Sequence, residues 1–346
     1  MSAGSDSEQS RDNEKTTSFT VRREDKVIFP ALSSTLKKVL DGCTSKMYIL
    51  IDEWSSLPLD VQPYLAEFVK RAFLPLPEVV VKIASLEYRS TFRLDLGEGI
   101  LIGLEVGADM SAAIDIDDYY VYDRNPARIT EAFADMLYKH VHTELPADYL
   151  ANNFQVSDGY TFARKLFSDP SVLQELVRSS EGVARDLINI FNHAYFSAHR
   201  RGKEKVDKSA VTEAARLWYV QDKLRNLDET LLGLLRRIIE EVIGEKKARS
   251  FLLPRELGNH PLIQKLFDFR VLHVVQRGYA DKDKPGVRYD IYTLDYGTYV
   301  DLMNTSKKPE LGFTELPADS PEEFVVPFDD KRRIRRIILD PKILQF

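Results

Sequence analysis

Residues 47–51, Met-Tyr-Ile-Leu-Ile, form a continuous apolar run that stops abruptly at Asp52-Glu53. Apolarity without alternation predicts a strand buried on both faces, as in a parallel sheet. A parallel neighbour has to be reached through a crossover of a dozen or more residues, usually a helix. The chain supplies one. Asp60–Phe73 has the spacing of an amphipathic helix closed by Pro75 and Pro77, and Glu78–Ala84 (Glu-Val-Val-Val-Lys-Ile-Ala) reads as a second buried strand. Strand, helix and strand in this order make an α/β unit with a right-handed crossover. Ser33–Leu40 suits a short helix ahead of it, and Ile100–Leu104 reads as a third strand.

Beyond Asp123 the rhythm changes. Pro126–Val141, Gly159–Phe167, Ser171–Leu176, Gly182–Ala198 and Lys208–Asn226 carry helical periodicity with no strand-like run between them. From Leu227 onward come helices over Leu231–Ile243 and Pro261–Phe269, then strands over Val271–Gln276 and Tyr289–Leu294. Asp281–Gly286 (Asp-Lys-Asp-Lys-Pro-Gly) reads as a hairpin turn between those strands. Helices followed by a basic, turn-tipped hairpin describe a winged helix. The expected division is a disordered leader over 1–22, a partial α/β core over 23–150, an all-α lid over 151–228, a winged-helix domain over 229–305, and a C-terminal extension with a basic tail over 306–346.

Composition sets the outer limits. At roughly 150 residues per domain, 346 residues imply two or three domains. Forty-eight basic and 54 acidic residues give a net charge of −6, and 44% of the chain is hydrophobic. These values exclude a histone-like basic protein, a collagen-like fibre and a wholly disordered chain. No apolar run approaches the 18 or so residues of a membrane span, and the N-terminus lacks a signal-peptide apolar region. A single cysteine, Cys43, excludes intramolecular disulfides and a cysteine-rich zinc site, and points to a reducing, cytoplasmic setting. The mild net charge hides a division. Residues 94–148 hold 12 acids and 3 bases, a local net of −9, whereas residues 200–288 hold 20 bases and 13 acids, a local net of +7. A basic block is either a nucleic-acid footprint or a set of solvated helix faces.

The residues that could carry chemistry follow from these placements. A buried parallel strand ending in Asp52-Glu53 puts two carboxylates at the carboxyl edge of a sheet, where ligands of open α/β folds bind. Ser85 ends the second strand in the same way. Gly182-Val-Ala-Arg185-Asp186 opens a helix with an arginine in its first turn, against the helix dipole. An external phosphate would offset that placement, and so would Asp186 beside it. Arg270, Arg277, Lys282, Lys284 and Arg288 flank the expected wing and could follow DNA phosphates. Lys331-Arg-Arg-Ile-Arg-Arg336 places five bases in six residues. His140-Val-His142 does not share a helix face and gives no metal site. Asp115, Asp117 and Asp118 lack the glycine and terminal glutamate of a calcium loop and read as a solvated acidic turn.

The order of these features, an apolar strand ending Asp52-Glu53, a strand ending Ser85, Gly-Val-Ala-Arg185 on a helix, then a winged helix, resembles the origin-recognition and initiator clade of AAA+ ATPases. More narrowly, Leu50-Ile-Asp-Glu-Trp-Ser-Ser-Leu-Pro58, Gln62-Pro-Tyr-Leu-Ala-Glu67, Val81-Lys-Ile-Ala84 and Ile114–Tyr120 resemble bacterial members of that clade. The likeness spans roughly residues 30–300. It implies an AAA+ P-loop-type parallel core, ATP and Mg²⁺ as cofactors, and assembly of several subunits on DNA. It also implies that Asp52 serves Mg²⁺, Glu53 acts as general base, Ser85 is a polar sensor beside the γ-phosphate and Arg185 a second phosphate sensor. Arg89-Ser-Thr-Phe-Arg93 falls where that family places an arginine finger acting on a neighbouring subunit's ATP, a part open to Arg89 or to Arg93.

One departure from the family is severe. No G-x-x-x-x-G-K followed by Ser or Thr occurs anywhere in the chain, and the only glycines before Met47 are Gly4 and Gly42. A phosphate loop works by wrapping successive backbone N–H groups around the phosphates, with a lysine adding charge. The expectation is therefore an AAA+ protein without its front third, through truncation, a split gene or a degenerate subunit, with impaired ATP binding. The alternative is a non-enzymatic DNA- or protein-binding module that keeps a structural ATPase remnant.

Overall fold

In the computed structural model, residues 27–43, 45–110, 113–122, 125–246, 248–280, 286–303 and 337–345 are described. The chain divides into two compact units, residues 1–113 and 114–346. Both α and β structure are present, with helix predominating.

The first unit starts with α1 (Phe29–Asp41) and β1 (Met47–Ile51), then crosses through α2 (Gln62–Ala72) to β2 (Val79–Ile83). Proline opens each helix, where its missing N–H costs nothing. β1 and β2 pair in parallel, from Met47 opposite Val79 to Ile51 opposite Ile83, so the βαβ unit is as expected. Its burial is not. Ile49, Ile51, Val79, Val81 and Ile83 pack toward the two apolar clusters that include Leu40, Leu76, Trp54 and Ala66. The alternate residues on β1 face outward, with Tyr48 59% and Leu50 72% exposed. The strand read as buried on both faces is covered on one, because the described residues supply helices to that side only. The expected third strand also differs. β4 (Leu101–Gly103) pairs antiparallel with β3 (Arg93–Asp95) in a separate two-stranded sheet, and the Glu67 carboxylate holds it through the Gly103 N–H at 2.8 Å.

In the second unit, α3 (Ile116–Tyr119), α4 (Pro126–Thr143), α5 (Tyr149–Phe154), α6 (Gly159–Leu166), α7 (Pro170–Ser179), α8 (Ala184–Arg200) and α9 (Lys208–Trp218) follow in order. Asn125, Asp158, Asp169 and Asp207 cap α4, α6, α7 and α9 through their side chains. α9 runs on through a π-helical turn, Tyr219–Lys223. Next come α10 (Glu229–Ile239), β5 (Ser250–Pro254), α11 (Arg255–Gly258), α12 (Pro261–Asp268), β6 (Leu272–Ala280), β7 (Arg288–Leu294) and α13 (Tyr296–Met303). β5, β7 and β6 form an antiparallel sheet in that spatial order.

The helical segment and the hairpin segment share one core. Leu187 of α8, Val211 of α9, Leu234 of α10, Leu266 of α12, Leu294 of β7 and Tyr299 of α13 belong to a single buried cluster. That cluster also takes in Ile337, Leu339 and Ile343 from the end of the chain. Leu252 of β5 donates to the Ile337 carbonyl at 2.7 Å and accepts from Leu339 N–H at 3.0 Å, so residues 337–339 cover the outer edge of β5. Covering an edge strand in this way blunts its tendency to pair with another chain.

Leu339 is fully buried in that strap and Ile338 beside it is largely exposed. Leu339→Ala is expected to lower unfolding stability by about 2–5 kcal/mol, and Ile338→Ala by less than about 0.5 kcal/mol. Chemical denaturation of the two variants checks this, and equal losses would contradict a docked strap.

Candidate functional site

The carboxyl ends of β1 and β2 are tied to each other. Ala84 N–H donates to the Ile51 carbonyl at 2.8 Å, and Trp54 N–H returns to the Ala84 carbonyl at 3.2 Å. This exchange brings Asp52, Glu53 and Ser85 to one exposed edge of the parallel pair. Glu53 has φ 52° and ψ 36°, the left-handed region that a non-glycine residue seldom occupies. The Asp52 carboxylate accepts from the Glu53 N–H at 2.8 Å through one oxygen, and the residue is exposed.

Beneath the edge lies a support that the sequence did not announce as functional. Trp54 is fully buried and stacks on Phe92, with ring centroids 5.1 Å apart. The Ser55 hydroxyl accepts from Leu86 N–H at 2.6 Å and meets the Ser90 hydroxyl at 3.0 Å. Gln62, also fully buried, donates to the carbonyls of Leu57 (2.8 Å) and Arg89 (3.1 Å) and accepts from Thr91 N–H (2.6 Å). A buried amide with its hydrogen bonds made fixes the loop that carries Arg89. Arg89 is exposed, and Arg93 pairs with Glu105 at 3.2 Å. A polar residue at the buried start of an otherwise amphipathic helix was the sequence signal for Gln62.

The fit of this edge to its implied ligands is partial. Mg²⁺ is commonly held by one or two carboxylates together with substrate phosphates, and Asp52 offers such an oxygen. ATP needs in addition a run of backbone N–H groups around its phosphates, and the G-x-x-x-x-G-K-[ST] motif that commonly supplies it does not occur in the sequence. Among the described residues there is no group of three or more His, Cys, Asp or Glu placed to hold a metal.

In the second unit, Gly182 with φ +82° leads into α8. A Cβ there would stand 2.1 Å from the Tyr120 carbonyl oxygen, so only glycine allows this approach. Arg185 lies exposed in the first turn. Asp186 does not serve as its partner. It turns inward, where it accepts from Trp218 Nε1 at 3.0 Å, meets Lys223 Nζ at 2.8 Å and approaches Arg270 Nε at 3.3 Å. Lys223 reaches on to Asp295 at 2.5 Å, and His273 Nε2 lies 3.0 Å from the same carboxylate. Arg249 with Glu181, Tyr296 with Glu175 and Tyr219 with Thr298 add further polar links between the helices and the hairpin segment.

Burial pushes the Lys223 ammonium down, and the carboxylates of Asp295 and Asp186 outweigh it, holding the pKa above its ordinary value. Burial likewise pushes Asp295 up, but Lys223 and then His273 hold it well below the usual carboxylate range. His273 is lowered by burial despite Asp295, so it is neutral near pH 7.

The five hairpin bases separate. Arg270 pairs with Asp222 and with the buried Asp186, its side chain remaining 25% exposed. Arg277 Nη2 lies 3.0 Å from Asp115. Arg288 is exposed and donates to the Gly278 carbonyl at 3.3 Å. Lys282 and Lys284 lie outside the described residues, as does the basic run 331–336. No described helix is long and apolar enough to cross a membrane. Comparison with protein-family models, curated proteins and solved structures finds no match to this chain.

Lys223→Met removes the ammonium shared by two buried carboxylates, leaving Asp295 beside His273 and Asp186 beside Arg270, and is expected to destabilise the second unit by about 3–5 kcal/mol. Arg93→Met, at the half-exposed pair with Glu105, should cost no more than about 1 kcal/mol. Denaturant titrations compare the two, and a loss at Lys223 as small as that at Arg93 would contradict a sealed cluster. His273, with its pKa lowered in the fold, binds fewer protons folded than unfolded. Stability is therefore full above an unfolded pKa of about 6.5 and falls as pH drops through it, by at most about 1.4 kcal/mol per pH unit. His273→Gln should flatten this loss between pH 7 and 5, and an unchanged slope would contradict a neutral buried His273.

Proposed function

We propose that this chain is an AAA+ ATPase-family protein of initiator type, with an incomplete nucleotide core, that works in an oligomeric assembly on DNA. The observation that carries the reading is the common edge of Asp52, Glu53 and Ser85 at the carboxyl end of a parallel strand pair. In this reading the exposed Asp52 carboxylate would serve Mg²⁺, Glu53 would polarise a water, and Ser85 would face a γ-phosphate. Arg89, held on a clamped loop, is the side chain that a neighbouring copy's nucleotide would meet. Arg185, unpaired with Asp186, is the anion-facing residue of the helical segment. The residues present do not complete an ATP site, so no hydrolytic step is assigned to this chain alone.

Support for DNA contact comes from the order α10, β5, α11, α12, β6, β7, with β5 joined to β7, which is the order of a winged helix. In that reading the hairpin strands offer Arg277 and Arg288 to phosphates, and the sequence between them adds Lys282 and Lys284. The exposed free thiol of Cys43 accords with a cytoplasmic compartment. A second reading, a DNA- or protein-binding module with a structural ATPase remnant, is favoured by the missing phosphate cradle. The two part on nucleotide: only the first requires duplex affinity to respond to Mg²⁺–ATP once a separate polypeptide brings a phosphate loop.

Fluorescence anisotropy with the full chain and a duplex, read beside sedimentation, tests the proposal. Binding is expected with an affinity that falls as salt rises, and with Arg288→Ala reducing the log–log slope by about 1. No binding at about 50 mM salt would remove the DNA function.

A further inference from the structure

Residues 200–205, Arg-Arg-Gly-Lys-Glu-Lys, place four bases and one acid at the end of α8, and Arg164 and Lys165 lie in the last turn of α6. The backbone joins the two places. Gly202 takes φ +72° and its N–H returns to the His199 carbonyl at 2.9 Å, while Lys203 N–H reaches the Ala198 carbonyl at 3.0 Å. Such a turn folds the chain back against the end of its own helix. The buried Val206 then donates its N–H to the Leu166 carbonyl at 2.8 Å and accepts from Ser168 N–H at 2.9 Å, and Lys205 Nζ meets the Arg164 carbonyl at 2.9 Å. Aromatic rings line the same junction. From the buried Phe167, ring contacts run outward along α8, with centroids 5.9 Å apart to Phe191, 6.2 Å from there to Tyr195 and 5.6 Å on to Phe196. Phe196 is 61% exposed, and Arg200 follows one turn on along the same face. On α6, Tyr160 is 68% exposed, with the Arg164 guanidinium 5.8 Å from its ring centre.

We propose that this junction of α6, α8 and the turn after α8 binds single-stranded DNA, with phosphates on Arg164, Lys165 and Arg200 and unstacked bases on Tyr160, Tyr195 and Phe196. It is a second nucleic-acid surface, on elements other than the β6–β7 hairpin, and it does not need that hairpin to touch a duplex. Two observations select an unpaired strand. Exposed cations call for a polyanion, and Arg164, Lys165 and Arg200 are exposed and, among the described residues, not paired with a carboxylate. Exposed rings call for flat partners. In a duplex each base face is covered by its neighbour, and an acidic peptide presents phosphate-like charge without flat faces. A single strand offers both, since every base has a π-face and every linkage carries a phosphate. An anionic bilayer takes up a helix through a broad apolar face, whereas Phe196 is surrounded on α8 by the exposed Asn192, His193, His199 and Arg200. Stacking and phosphate pairing need no 2′-hydroxyl, and DNA is the nucleic acid of the function proposed above. That choice of sugar alone rests on the earlier reading.

Fluorescence anisotropy of the full chain tests this, with labelled oligothymidylate and oligouridylate of about 30 nucleotides and a duplex of about 30 base pairs, between about 50 and 200 mM salt. Phe196→Leu and Tyr160→Leu each remove one ring at an exposed position on a different helix. A variant with Arg164→Gln and Arg200→Gln removes two cations, Arg288→Ala reports on the hairpin, and thermal unfolding checks that every protein is folded. Each ring variant is expected to bind oligothymidylate about 5- to 10-fold more weakly at an unchanged salt slope, and the two-cation variant to lower the slope by about 1.4. Arg288→Ala should bind the strand as wild type does. Failure of wild type to bind oligothymidylate at about 50 mM salt overturns the proposal, whether or not the duplex binds, and co-sedimentation with phosphatidylserine vesicles in its place would assign the rings to a membrane surface. Strand binding that Arg288→Ala weakens and both ring variants keep overturns it too, and assigns the strand to the hairpin. Displacement of oligothymidylate as readily by poly-glutamate as by unlabelled strand overturns nucleic acid as the partner, and oligouridylate bound more than about 10-fold tighter overturns DNA. Strand binding with the expected variant pattern, in a protein that binds no duplex, would remove the hairpin's DNA contact and leave this surface standing.

Discussion

The organisation of residues 114–346 depends on one ammonium group placed between two carboxylates. Lys223 sits at the end of the π-helical turn after α9 and meets Asp186 of α8 on one side and Asp295 after β7 on the other. A lysine sealed from water is tolerated only when its charge is matched, so three distant segments are brought to fixed positions around it. Asp186 draws the first turn of α8 inward and leaves Arg185 facing out. Asp295 and His273 tie the same point to the base of the β6–β7 hairpin. A π turn carries one more residue per turn than the α-helix before it, and such turns recur at functional positions. In this chain it is the turn that contains both Lys223 and Asp222, and so supplies partners to the seam on two sides.

The first unit is built on the opposite principle. Its parallel pair is covered on one face, and Tyr48 and Leu50 on the other stay in water. Parallel sheets are ordinarily covered on both faces, and two strands alone make a marginal sheet. The edge that gathers Asp52, Glu53 and Ser85 is accordingly held from below, by Trp54, Ser55 and Gln62, rather than from the sides. In structural terms these supports act as clamps on the Arg89 loop.

Patterns within a few residues were legible in the sequence, and pairings across long distances were not. The run 47–51, its helix and the run 79–83 were readable because apolar continuity and a proline-closed amphipathic helix act locally. Exposure of Tyr48 and Leu50 was not readable, since a second covering layer cannot be inferred from the strand itself. β5 was missed because Ser250–Pro254 is short, ends in proline and pairs with β7 some forty residues later. The strap at 337–345 went unnoticed beside the basic run before it. Among site residues, the placement of Asp52, Glu53 and Ser85 followed from strand ends. Arg270 looked like Arg277 and Arg288 in sequence, and only its pairing with Asp222 and Asp186 distinguishes it.

The central proposal is that the β1–β2 edge, with two carboxylates and a hydroxyl, is part of a nucleotide site, in a sequence without a G-x-x-x-x-G-K-[ST] motif. Calorimetric titration of Mg²⁺–ATP into the full-length protein, beside Asp52→Asn, measures this most directly. The expectation is no saturable binding by either protein up to about 1 mM, since the sequence holds no G-x-x-x-x-G-K-[ST] motif to wrap the phosphates. Saturable binding by the wild type that Asp52→Asn abolishes would contradict it, and would show that these 346 residues hold ATP phosphates by a route of their own.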